Sequence, residues 1–335
     1  MINTTKIFII KIISMTELKN IIDKTQKIAI FCHENPDGDA IGSMLGLGRL
    51  LEKLWKDVFY FSPDKPSTTF SFLEWFEKIK TTFDYGYYHL LIFVDFSEYA
   101  RIKTFYKGKE NYFSENQILV FDHHQMLNPP ENWTVIHDTQ STSTCEIILE
   151  NTLNIREEYY DKEIATYLYL WLTTDSGNFR YDENHERILK NALVLIQLWA
   201  DKKLIIDKFI NNKSLWTINF LKTLLDRMSI EWEILYSYYD IDELKDYDID
   251  NEQASYWLTI LQEINWPKVI MTIRKEDHLV KVSLRSKDVN VEEIAKSFWW
   301  GWHIHASWFA KRIEDGKDFY TTKNEVINKI KSLLK

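Results

Sequence analysis

The chain has 335 residues, 45% hydrophobic and 27% charged, with a formal charge of −9, the make-up of an ordinary soluble globular protein of one or two domains. The acidic balance argues against a protein that coats long nucleic acid, yet leaves room for a small anionic substrate if bound metal ions reverse the sign locally. No apolar run reaches the ~18 residues of a membrane span, and two cysteines, Cys32 and Cys145, are too few for a disulfide framework and fit a reducing cytoplasm as buried thiols.

The opening segment, MINTTKIFIIKIIS, imitates a signal peptide in placing a lysine before an apolar stretch. Lys11 interrupts that stretch and no small-residue cleavage site comes after it. Translation from Met15 is therefore expected, with residues 1–14 outside the native chain. Residues 16–26 read as a helix and KIAIFC (27–32) as a buried strand that ends at HENPDGDAIGS and runs into helical spacing as far as Leu54. This strand–loop–helix order predicts an α/β domain with a parallel sheet. LLIFVD (90–95) and ILVFDHH (118–124) read as further strands carrying acidic or imidazole residues at their C-terminal ends, the edge where open α/β sheets bind ligands. A helix with a capping box from Ser143 to Glu146 is expected over 143–153, and another over 161–174 before TTDSGNF. The stretch 186–229 reads as a helical linker between a first domain at 15–185 and a smaller α/β domain at 230–335. In the latter, WEILYSYYD, VIMTIRK and LVKVSLRS alternate like half-buried strands and VNVEEIAKSF reads as a helix.

Four acidic or histidine clusters are expected on successive strand ends, each closing an apolar run: His33 with Asp37 and Asp39; Asp95; Asp122 with His123 and His124; and Asp175. Each has an ordinary explanation alone. An aspartate after a strand is commonly a helix cap, and NPDGD is good turn chemistry. Together and in this order they form a set of hard carboxylates and imidazoles suited to Mn²⁺, Mg²⁺ or Zn²⁺. Enough ligands are present for two ions sharing one carboxylate, an arrangement that hydrolyses phosphate esters by neutralising the phosphoryl oxygens while activating water.

HENPDGDAIGS, FVDFSE, DHH and TTDSGNF resemble, in order, the four motifs of the DHH phosphoesterase superfamily, and VSLRS and WWGWHIHASWF resemble its C-terminal DHH-associated domain. The resemblance runs from about Met15 to the C-terminus, and the two-domain length is similar to the nanoRNase group of bifunctional oligoribonucleases and 3′-phosphoadenosine 5′-phosphate (pAp) phosphatases. It implies that His33, Asp37 and Asp95 hold a first Mn²⁺, and that Asp39, Asp95, His123 and Asp175 hold a second, with Mg²⁺ as the alternative metal. It implies that His124 faces the scissile phosphate as a hydrogen-bond donor or general acid, with Asp122 orienting the histidines. Arg285, Ser286, Gly301, His303 and His305 would contact the substrate. Arg101 has a counterpart in the family and equally suits a structural ion pair. Short RNA or nucleotides, and no membrane, are the partners implied, with a homodimer compatible. Alternatives within the superfamily are a linear or cyclic dinucleotide phosphodiesterase and a RecJ-like single-strand exonuclease, for which the chain is short. Outside it stands a nucleotide-binding protein with a damaged substrate loop.

One count remains out of line. Nine glycines stand where usage of roughly 7% predicts about 23, and thirteen tryptophans outnumber them. Family members have glycine where this chain has Trp299, Trp300, Trp302 and Trp308, and Trp171 precedes the fourth motif where the family has a small glycine. His305 also stands where the family has asparagine. Trp55 and Trp199 stand at helix C-terminal positions that glycine usually caps; Trp75, Trp232 and Trp266 also read as glycine sites. A gene in which UGA means glycine, translated with UGA as tryptophan, accounts for all ten. Moving them raises the nine glycines to nineteen and leaves three of the thirteen tryptophans, Trp133, Trp216 and Trp257.

Overall fold

The computed structural model describes residues 14–126, 129–130, 132–180, 184–299 and 304–334. Of residues 1–14, only Ser14 is among them; it caps helix α1, Met15–Lys24, through a capping box with Glu17. The chain divides into two compact units, Met1–Asn212 and Lys213–Lys335. The helical stretch 186–229 is shared between them. Helix His185–Gln197 buries Ile188, Ala192 and Leu195 in the first unit's core, whereas helix Leu215–Asp226 buries Phe220 and Leu224 in the second's.

Six parallel strands build the first unit: β1 (Lys27–Phe31), β2 (Asp57–Phe61), β3 (Ile79–Lys80), β4 (Leu90–Val94), β5 (Ile118–Asp122) and β6 (Trp133–His137), in the order β3-β2-β1-β4-β5-β6. Both faces of the sheet are covered, which is why the central strands read as unbroken apolar runs. Ile28 and Ile30 of β1 point into one core layer and Ala29 and Phe31 into the other; Ile92 and Phe93 of β4 divide in the same way. Strand order reverses between β1 and β4, so their carboxyl ends open a crevice at a topological switch point.

Helix α2, Gly38–Lys53, comes after β1 and packs against helix Lys162–Tyr169. The approach is close: a Cβ on Gly42 would lie 2.6 Å from the Tyr167 carbonyl oxygen. That contact matters for the crevice, because Lys162–Tyr169 leads into the short helix Trp171–Thr174 and so holds the end of that helix beside the start of α2.

The second unit is a mixed sheet of β7 (Ser229–Glu231), β8 (Ile234–Asp240), β9 (Val269–Glu276), β10 (Leu279–Arg285) and β11 (Ala306–Arg312), ordered β11-β10-β9-β8-β7. Only β8 and β9 pair in parallel in this sheet, and helix Asn251–Leu261 makes the crossover that such a pair requires.

The tryptophans fall into two physical groups. Trp133 and Trp257 are buried, and their indole N–H groups donate to Tyr99 Oη (2.9 Å) and Thr272 Oγ1 (2.5 Å). Trp55, Trp199, Trp232 and Trp299 instead have φ values of 61°, 68°, 57° and 72°, the left-handed region that side chains with a Cβ avoid. Removing the Cβ relieves these four. Trp55→Gly and Trp199→Gly are each expected to stabilise the fold by ~1 kcal/mol, whereas Trp133→Gly and Trp257→Gly should each cost ~3 kcal/mol or more by emptying a packed site. Urea unfolding midpoints at unchanged slope check both signs, and a lower midpoint for Trp199→Gly contradicts the strain argument.

Candidate metal centre

The crevice at the switch point collects nearly every side chain singled out in the first unit. His33 lies just past β1, Asp37 is the N-cap of α2 and accepts from Ala40 N at 3.0 Å, and Asp39 sits in that helix's first turn. Asp95 comes directly after β4, Asp122 ends β5, and His123 and His124 are the next two residues. Asp175 corrects the expectation that all four clusters lie on strand ends: it is the C-cap of helix Trp171–Thr174, delivered by the close packing of α2 and Lys162–Tyr169. Asp95 also has φ of 54°, a strained left-handed aspartate of the kind that persists where the surroundings over-determine the backbone.

Three groups have ligand atoms within 4.8 Å of one another: His33, Asp37 and Asp95; Asp39, His123 and Asp175; and Asp95, His123 and His124. Asp95 joins them, its Oδ2 lying 3.0 Å from His33 Nε2 and its Oδ1 3.6 Å from His123 Nε2. His123 Nε2 is also 3.9 Å from both Asp39 Oδ2 and Asp175 Oδ2.

The protons show why these residues suit a cation. His33 Nδ1 is 2.7 Å from the Glu34 carbonyl oxygen, which can only accept, so the ring proton sits there and Nε2 presents a lone pair to Asp95. Protonating His33 would relieve this face-off, but burial first, and then the Arg101 charge, push its pKa down to about 4. A lone pair 3.0 Å from a buried carboxylate oxygen is the spacing of two ligands on one hard cation. Burial raises the Asp39, Asp95 and Asp175 carboxyls well above the usual range, and repulsion from neighbouring aspartates adds to it.

His123 obeys the same logic. Its Nδ1 donates to the Ser141 carbonyl at 3.2 Å and leaves Nε2 for the acidic cluster. His124 is held differently: Nδ1 donates to Asp122 Oδ1 at 2.8 Å, with Asp95 Oδ1 at 3.3 Å. Asp122 is fully buried, and burial raises it to about 6 against the opposing pull of His123.

The helix expected over 143–153 is present as Thr144–Arg156, but sequence reasoning did not reach its part in the site. Its first backbone N–H groups, from Thr144 and Cys145, donate to the two Asp39 oxygens at 2.7 and 2.9 Å, and Thr144 Oγ1 donates to Asp95 Oδ1 at 3.3 Å. The positive end of a helix thereby faces a ligand carboxylate. The capping box expected here is half formed: Ser143 Oγ accepts from Glu146 N, but the Glu146 carboxylate bypasses the cap and takes Thr142 N and Ser141 Oγ instead. Cys32 and Cys145 are free and buried, and burial takes the Cys32 thiol up to about 12.

In the second unit, Arg285 ends β10 and its Nη1 donates to its neighbour's carbonyl, Leu284 O. The Ser286 hydroxyl accepts from Asp288 N and Val289 N in the local turn, and Ser286 N donates to the carbonyl of His305, just before β11. The buried His305 Nδ1 has no hydrogen-bond partner among the described residues. Gly301 and His303 lie outside the described residues, as do Trp300 and Trp302.

This fold and this constellation define an α/β chain with a candidate metal site, and residues 27–170 match the DHH family, N-terminal domain. That match lies within the first unit, and the chain's resemblance reaches further. It is 27% identical over 298 residues to the bifunctional oligoribonuclease and PAP phosphatase NrnA of Mycoplasma genitalium, covering 88% of this chain and 91% of that protein. It is 25% identical over 298 residues to the protein of the same name from Bacillus subtilis, covering 87% and 91%. Among solved structures, an exopolyphosphatase-related protein from Bacteroides fragilis shares the fold with a TM-score of 0.80 at 22% identity, covering 95% of this chain and 94% of its own. Among the described residues, no helix is long and apolar enough to cross a membrane.

Burial and mutual repulsion favour the protonated aspartates, so a cation entering this cluster competes with protons. Titration with Mn²⁺ near pH 6, in two buffers of different ionisation enthalpy, should therefore show net proton release. Proton uptake on binding would contradict the assignment of the carboxylates as ligands.

Proposed function

We propose that this chain is a divalent-metal-dependent phosphoesterase that degrades short oligoribonucleotides of about two to five nucleotides and removes the 3′-phosphate of pAp to leave AMP. The observation that carries the reading is the pair of three-residue groups, His33–Asp37–Asp95 and Asp39–His123–Asp175, meeting at Asp95 on the sheet's switch point. The relatives' named activities supply the substrate class.

His33, Asp37 and Asp95 would hold one ion, and Asp39, Asp95, His123 and Asp175 the other. Bound there, two Mn²⁺ or Mg²⁺ ions would neutralise the phosphoryl oxygens and make water a nucleophile near neutral pH. The rest falls to the chain. With its Nδ1 proton held toward Asp122, His124 can take a second proton at Nε2, and the buried Asp122 carboxylate stabilises the imidazolium so formed. That proton is then available to the departing oxygen. Arg285 suits a bidentate phosphate grip, with Ser286, Gly301, His303 and His305 as the accompanying nucleotide contacts. The reading places the enzyme in the cytoplasm, and it allows a homodimer.

The test is Mn²⁺-dependent phosphate release from pAp beside degradation of a labelled RNA 2–5-mer. Asp95→Ala should lower both rates by at least about 10³-fold, since it removes the ligand common to both ions. Arg285→Ala should raise KM more than it lowers kcat. Cleavage of neither substrate overturns the assignment, and full activity in Asp95→Ala overturns the two-metal mechanism.

A further inference from the structure

We propose that Glu146, a residue outside the ligand set, is the positioning residue that holds His123, Asp39 and Asp95 in metal-binding geometry; this rests on the metal reading above. Glu146 is fully buried on helix Thr144–Arg156. Its Oε2 accepts from Ser141 Oγ at 2.8 Å and Thr142 N at 3.0 Å, and its Oε1 from Asn191 Nδ2 at 2.7 Å. Arg187, on the same helix as Asn191, approaches Glu146 Oε2 at 3.5 Å and clamps Asp138 and Glu150. The loop 138–143 is therefore tied at both ends to one buried carboxylate and one cation. That loop presents inward the Ser141 carbonyl, which fixes the His123 tautomer, and the helix start that holds Asp39 and Asp95. The Glu146 carboxylate grips the residue whose carbonyl faces a ligand imidazole and the residue after it, so its bonds lock the orientation of that one peptide.

Two measurements test this: Mn²⁺ binding by calorimetry and the His123 tautomer by side-chain ¹⁵N NMR, on the full chain. Glu146→Ala should weaken Mn²⁺ binding about 10–100-fold, the usual effect of losing an outer partner of a ligand, and give a mixed His123 tautomer. Glu146→Gln can turn its carbonyl toward Ser141 and Thr142 and should restore both. If Glu146→Ala does not fold, Ser141→Ala removes the hydroxyl link and should show the same direction of change. A folded Glu146→Ala or Ser141→Ala protein with native affinity and a single Nδ1–H tautomer overturns the proposal. Asp39→Asn separates the two readings, because it must lose Mn²⁺ affinity if the metal site is real, whatever Glu146 does.

Independently, the backbone points to glycine as the residue that belongs at Trp55, Trp199, Trp232 and Trp299. Trp55 and Trp199 are the left-handed residues of two complete Schellman motifs. Trp55 N donates to Glu52 O and Lys56 N to Leu51 O; Trp199 N donates to Ile196 O and Ala200 N to Leu195 O. Glycine is the usual residue there. Trp232 is the first residue of the two-residue loop joining β7 to β8, where primed hairpin turns require positive φ. Trp299 lies left-handed just beyond helix Val291–Lys296 and is almost wholly exposed. Trp133 and Trp257, with bonded indoles in the cores, show what genuine tryptophan looks like here. We infer that the four, with Trp171, whose buried indole N–H has no partner among the described residues, are UGA codons that the source organism reads as glycine. Mass spectrometry of peptides from the natural host should show glycine at 55, 199, 232 and 299, and tryptophan at 133 and 257. UGG codons or tryptophan masses at the first four positions overturn it.

Discussion

Everything at the candidate site depends on the repulsion among buried carboxylates. Asp39, Asp95 and Asp122 are almost fully buried, with Asp175 beside them, in a place where an uncompensated negative charge costs far more than in water. The fold offers partial compensation from Arg101, from the first N–H groups of helix Thr144–Arg156, and from imidazole protons turned away to carbonyls. None of these relieves the approach of His33 Nε2 to Asp95 Oδ2 at 3.0 Å; a proton on Asp95 or a divalent cation between the two does, and only the cation would also give the site its chemistry. Compensation and catalysis are therefore one requirement, which explains why so many elements converge on so small a volume.

Convergence is possible because the sheet is parallel and doubly covered. Strand ends at the switch point supply His33, Asp95 and the Asp122–His124 run from three adjacent strands, all facing one crevice. Helix packing supplies the rest. Gly42 lets α2 approach the Tyr167 carbonyl closely, and a larger residue there would push apart the two elements that carry Asp39 and Asp175. A small residue inside a helix thus sets the distance between two ligands, neither of which it touches.

The candidate site residues and the parallel α/β class of the first unit were legible because apolar strands ending in His or Asp carry both signals in the same few residues. Strands β2 and β6 were not: DVFYF comes after an unusual helix end at Trp55, and WTVIH, although it too ends in a histidine, has an apolar run broken by Thr134. Asp175 groups with the strand ends by sequence although 161–174 itself reads as helix, and it is the helix that carries it. The Glu146 network was hidden for a different reason. Ser143 and Glu146 have capping-box spacing, and only the three-dimensional positions of Asn191 and Arg187, on a helix far along the chain, reveal that the carboxylate is drawn inward instead.

The tryptophans show how local strain and function separate in this fold. A left-handed residue with a Cβ costs about 1–2 kcal/mol, so four would remove roughly 4–8 kcal/mol from a margin that is typically about 5–15 kcal/mol. Three of the four, Trp55, Trp199 and Trp299, are at least 79% exposed, so no core contact repays that cost. Trp171 is the opposite case: it is fully buried beside the fourth motif, and its indole N–H has no hydrogen-bond partner among the described residues. Tryptophan in a core ordinarily satisfies that donor, as Trp133 and Trp257 do. Strain without packing at the surface and a stranded donor in the interior both point to the absence of a side chain; at 171 the backbone carbonyl that accepts from Asp175 N at 3.0 Å would remain.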